Sequence, residues 1–202
     1  MLPPERLVLF IDRQNMYKMA RRAFFSDDAP HYYGQINPLK LGNLVCSRQL
    51  IGSHVELHQV CIYKGEPDAN REPKAFAAHM KQCLAWRRSG VEVITRTLRY
   101  PPDWPASKPL EKGIDVALAV DFVTSAIEGG YDIGVIASLD TDLRPALEYV
   151  YRHCQGSHQV QVVAWRSQTV KSRLYVPNLN IWCHYLNRED YDAVADLTDY
   201  NR

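Results

Sequence analysis

The chain has no charge of one sign to spare. Its 24 Lys and Arg stand against 23 Asp and Glu, a formal net charge of +1 at pH 7. That balance excludes a histone-like or polybasic nucleic-acid binder, although a local basic face remains compatible with it. Apolar runs are short: the N-terminal MLPPERLVLFIDRQN carries one from Leu7 to Ile11 before a charge, too short for a secretory leader. Nothing approaches the ~20 apolar residues of a membrane span. Cysteine is sparse and scattered. Cys46, Cys61, Cys83, Cys154 and Cys183 never form CxxC, which predicts free thiols in a reducing, cytoplasmic setting and gives no zinc motif. No GxGxxG follows the first apolar run, which excludes a dinucleotide-binding module. What is present is an ordinary globular composition, 46% hydrophobic and 23% charged, over 202 residues. Such a chain can bury a sizeable core without disulfides or structural metal.

Short runs rich in Val and Ile alternate with segments of helical period, which predicts a three-layer α/β fold with a mainly parallel central sheet. Leu7 to Ile11 lacks polar alternation, as expected of a central strand covered on both faces. Asp12 ends it, and Asn15 to Ala20 opens a helix. Asn37-Pro38 reads as an N-cap followed by proline at the first helical position, starting a helix through about Leu50. Further strands are predicted at Val55–Tyr63, Val91–Ile94, Asp132–Ala137 and Gln159–Trp165. Helices are predicted at Pro73–Arg88, Ile114–Ile127 and Asp142–Cys154. Tyr100 to Lys112 holds four prolines and reads as a functional loop. Residues 1–165 form one α/β domain in this reading. Residues 166–202 are a C-terminal extension, packed on the domain or trailing it, with a last short strand at Leu179–Tyr185.

The carboxylates carry the functional signal. Ligands of open parallel sheets bind beyond the carboxyl ends of the strands. Asp12 falls at that end of the first strand, Asp140 and Asp142 just beyond the fourth, and Asp115 in the first turn of the helix after the proline-rich loop. Each alone has a plainer reading as a helix cap or dipole partner. Together they form a like-charge cluster that raises its own pKa values unless a counter-ion is present. A hard divalent cation, Mg²⁺ or Mn²⁺, resolves that conflict and can activate a water against a phosphodiester. Asp121, six residues after Asp115, points about 120° away around the helix and would flank such a site.

Three motifs then carry a family resemblance. They are Phe10-Ile11-Asp12-x-x-Asn15, Lys112-Gly113-Ile114-Asp115 through Asp121, and Ser138-Leu139-Asp140-Thr141-Asp142-Leu143-x-Pro145. In this order, over residues 6 to 165, the chain resembles the NYN domain family of the PIN-like nuclease superfamily. The resemblance implies a metal-dependent endoribonuclease on a PIN-like α/β/α, Rossmann-like fold. By position, Asp12, Asp115, Asp140 and Asp142 would hold Mg²⁺ or Mn²⁺ and place the attacking water. Asn15 and Ser138 would support them, and Lys112 would meet the scissile phosphate. The family's habits also imply a homodimer. One departure stands out: Leu139 occupies a position where members commonly carry glycine, which predicts a disturbed turn and a narrowed approach to the metal.

The implied substrate is RNA, single-stranded or structured. Arg96, Arg99, Lys108 and Lys112 precede the helix of Asp115, with Tyr100 and Trp104 among them. That group suits phosphate contact and base stacking, and equally a solvated loop with a structural aromatic. Arg71, Lys74, Lys81, Arg87 and Arg88 read as a solvated helix face. A phosphatase of the haloacid dehalogenase type fits poorly, because its DxD lies on the first strand. The alternative from another class is a PIN-like module that binds RNA or a protein without cutting. Leu139 favours it, and retention of the carboxylates disfavours it.

Overall fold

A computed structural model of the chain describes residues 3–49, 54–154 and 159–202. Its first strand, β1 (Glu5–Asp12), alternates between two cores. Leu7, Leu9 and Ile11 face one, while Val8 and Phe10 face the other. That double burial is why the strand is apolar at every central position. Around it lie β2 (Val55–Glu66), β3 (Glu92–Thr97), β4 (Ile133–Ala137), β5 (Gln159–Trp165) and β6 (Trp182–Leu186). The described sheet is six-stranded and parallel throughout, in the order β3-β2-β1-β4-β5-β6. This is the α/β architecture expected from the sequence.

The helices divide between the faces. The first core takes α1 (Arg13–Phe24), α2 (Pro38–Ser47), α3 (Pro73–Arg88) and α6 (Arg188–Val194). The second takes α4 (Ile114–Ile127) and α5 (Arg144–His153), together with Leu174, Val176 and Ile181. Helix starts follow local chemistry. Asn37 Oδ1 accepts from the Lys40 amide at 3.0 Å, with Pro38 at the start of α2. Trp165 is fully buried, and its indole donates to the Met16 carbonyl at 3.0 Å, tying β5 to α1.

Several boundaries move. β2 and β3 run three residues further than their apolar stretches, to Glu66 and Thr97, because sheet pairing continues through polar residues. A 3₁₀ turn (Thr141–Leu143) precedes α5, where Pro145 sits in the first turn. α2 ends at Ser47, and Leu50 lies outside the described residues. Within 166–202, β6 pairs with β5 from Gln161↔Trp182 to Trp165↔Leu186. α6 follows, closed by a capping box between Asn187 and Asp190. Leu186, Tyr191 and Val194 are buried in the first core.

Candidate functional site

Between β1 and β4 the connections switch from one face of the sheet to the other, and a crevice opens there beyond the strand ends. Asp12, the last residue of β1, caps α1 and is only 8% exposed. Its Oδ1 accepts from the Asn15 amide at 3.0 Å, and its Oδ2 accepts from the Ser138 hydroxyl at 3.0 Å. Burial pushes the Asp12 carboxyl pKa up. The two hydrogen bonds oppose that shift, and the charges of Glu111 and Asp140 add to it.

Ser138 lies just past β4 and is fully buried. Besides donating to Asp12, its hydroxyl accepts from the Asp140 amide at 3.1 Å. Asn15 Oδ1 accepts from the Leu139 amide at 2.9 Å. The end of β1 is thereby stitched to the end of β4, and Asp140 is held beside Asp12. Asp115 arrives from elsewhere, in the first turn of α4. Gly113 precedes that turn at φ +75°, a left-handed conformation that explains the glycine in KGID.

Asp12, Asp115 and Asp140 line one cleft of about 280 Å³, with Asn15, Gln14, Lys18 and Ile114. A fourth carboxylate, Glu111, lines it too. Sequence reasoning missed Glu111, since a glutamate at the end of a proline-rich loop carries no motif. Its Oε1 accepts from the Gly65 amide at 2.8 Å, which anchors the loop to the end of β2. All four are hard oxygen donors, chemistry that suits a divalent cation. Among the described residues, no three carboxylate, imidazole or thiol groups converge closely enough to hold one ion.

The other expected residues lie outside the cleft lining. Asp142 is exposed on the 3₁₀ turn, and its amide donates to Asp140 Oδ1 at 3.0 Å. Asp121 accepts from the Tyr63 hydroxyl at 2.9 Å, satisfying a polar group that β2 buries in the second core. Lys112 and Lys108 are exposed on the loop. Arg99 exchanges two backbone hydrogen bonds of 2.9 Å with Leu110, closing the loop's neck. The loop aromatics are covered: the Arg71 guanidinium sits 4.8 Å from the Tyr100 ring centre and 5.8 Å from that of Trp104.

The strain expected at Leu139 is absent. Among the described residues Asn178 is the non-glycine with positive φ. Leu139 adopts ordinary backbone, packs against the second core and does not line the cleft. A side chain is tolerated there because it turns toward the core.

The sequence profile of the NYN domain matches residues 6–175, most of the chain. Among solved structures, the crystal structure of a protein of unknown function from Vibrio parahaemolyticus is similar, with a TM-score of 0.52 at 17% identity. The match covers 80% of this chain and 82% of that one, and at this identity it shows a shared fold. No curated protein matches the chain.

Proposed function

The chain belongs to the NYN domain family, and on that premise we propose that it is a metal-dependent ribonuclease acting at the β1–β4 cleft. The observation that supports this best is Asp12. A carboxylate this buried, with Asp115, Asp140 and Glu111 lining the same cleft, carries a free-energy cost that a cation removes. In this reading Asp12, Asp115, Asp140 and Glu111 hold Mg²⁺ or Mn²⁺, with waters completing the shell. A bound ion of this kind lowers the pKa of a coordinated water and offsets charge on phosphate oxygens.

The protein's own groups then have distinct tasks. Asn15 and Ser138 hold Asp12 in one rotamer, so it need not reorganise when the cation enters. Asp140 faces the same space with its backbone fixed by Ser138. Asp142 acts through Asp140, by presenting the amide that Asp140 caps. Lys18, at the cleft wall, supplies positive charge toward a phosphate strand.

A second reading has its own support. Because no three described ligands converge on one point, the cleft of a non-cutting RNA- or protein-binding module would have this appearance. Cleavage of a mixed RNA pool in Mn²⁺ separates the two. For the nuclease, products form and disappear both with EDTA and in Asp140→Asn prepared identically. RNA binding without products, equal in both proteins, would establish the binding module.

A further inference from the structure

Beyond Tyr63, β2 carries Lys64 into the molecule, where it is 6% exposed and lines a second pocket of about 350 Å³. Its Nζ donates to Gln82 Oε1 at 2.7 Å and lies 5.3 Å from the Trp86 ring centre. Arg13, the first residue of α1, lines the same pocket. Among the described residues neither cation forms an ion pair. Burial first, and then the charge of Arg13, make protonation of Lys64 harder, against a smaller opposing pull from Glu111 and Glu66. A buried lysine beside a second, half-buried cation costs free energy that an anion between them would remove.

His79 adds an unsatisfied buried polar atom to the same pocket. It lines this pocket, is 5% exposed, and its Nδ1 has no hydrogen-bond partner among the described residues. Cys83 Sγ lies 3.4 Å from its Nε2. Glu66 Oε2 lies at the same 3.4 Å from Nε2, so that side of the ring meets both a thiol and a carboxylate while Nδ1 stays unsatisfied.

The pocket also has a telling position. Gln14 and Glu111 line both it and the carboxylate cleft, so the two share a wall. The opposite rim is made by Tyr200 and Asn201, beyond the residues the NYN profile matches. That rim is fastened by Asn201 Nδ2 against His31 Nε2 at 2.8 Å and by Lys81 Nζ donating to the Arg202 carbonyl at 2.7 Å. The volume lies near the lower end of the ~300–1,000 Å³ typical of ligand pockets. A phosphomonoester carries about −1.5 to −2 at pH 7, matching two fixed cations better than the single charge of an internal diester.

We propose that this pocket binds the phosphorylated end of an RNA strand, with the terminal phosphate between Arg13 and Lys64 and the adjoining phosphodiester led into the carboxylate cleft. The identity of the strand rests on the nuclease reading above.

The test is binding without turnover. Fluorescence anisotropy in EDTA would compare one short single-stranded RNA carrying a 5′-phosphate, a 3′-phosphate, or hydroxyls at both ends. The full chain should prefer one phosphorylated end by about tenfold or more. Lys64→Met and Arg13→Gln should each cut that preference to about twofold. Equal binding of the three RNAs by the full chain overturns the proposal. So does a preference that survives in both variants, provided their melting curves show them folded. The two readings fail separately: end preference without cleavage in Mn²⁺ removes the nuclease, and cleavage without end preference removes the pocket.

Discussion

Three carboxylates and one lysine decide most of what single substitutions should do. Asp12 is held above its ordinary pKa by burial, so its ionised form costs the fold stability at neutral pH. Asp12→Asn should therefore melt higher than the native chain while losing RNA cleavage, the trade expected of a functional site. Asp140→Asn and Asp142→Asn should differ, although they stand two residues apart. Asp140 lines the cleft and Asp142 does not, so in steady-state cleavage the first should cost at least about 100-fold and the second about tenfold or less. Equal losses would place Asp142 in the site. Lys64, lowered to about 8 mainly by burial, is charged at pH 7 in a setting that resists it. Lys64→Met removes that cost and one hydrogen bond, for a net gain of about 1 kcal/mol, or ~2–4 °C in Tm.

At the scale of elements, the ends of strands and the starts of helices place the site, and glycine controls two of the approaches. A Cβ on Gly65, at the end of β2, would lie 2.3 Å from Leu98 Cδ2 and 2.7 Å from Glu111 Cγ. Gly65→Ala should push Glu111 out of the cleft, weakening Mn²⁺ affinity by about tenfold in a calorimetric titration, with little change in the far-UV spectrum. Much of this level was legible in advance. α3, α4 and β5 have the predicted bounds because Pro73, Gly113 and Gly129 punctuate the helices and the β5 run is almost wholly buried. The cleft positions of Asp12, Asp115 and Asp140 were legible because each lies at or just past the end of an apolar strand or in the first turn of a helix. Glu111 was not, since its position depends on a hydrogen bond to a residue 46 positions away. α6 was hidden for a different reason: its seven residues are mostly charged, and a capping box rather than an apolar stripe defines it. Asp121 carries a motif position yet serves Tyr63, a partnership set by the packing of α4 on β2.

Over the whole molecule, buried histidines set the response to acid. Burial lowers His79 to about 3 and His184 to about 4, so both are neutral in the fold, whereas unfolded histidine titrates near 6.5. Between those values the unfolded chain binds protons that the native chain refuses, and stability falls as pH drops below ~6.5. Urea midpoints should decrease steadily from pH 7 to pH 4.5, as the unfolding free energy falls by about a few kcal/mol in all. His184→Gln, which keeps a donor toward Gln161, should flatten that decline. A midpoint unchanged by pH over this range would contradict the burial argument. The same logic applies with opposite charge at the β1–β4 cleft, where a cation should stabilise the native state and not the unfolded one. The most direct check is the melting temperature of the full chain and of Asp12→Asn as Mn²⁺ is titrated in the absence of RNA. The native chain should rise by several degrees at saturation and the variant should not. No shift in the native chain, or the same shift in both, would contradict a metal centre at this cleft.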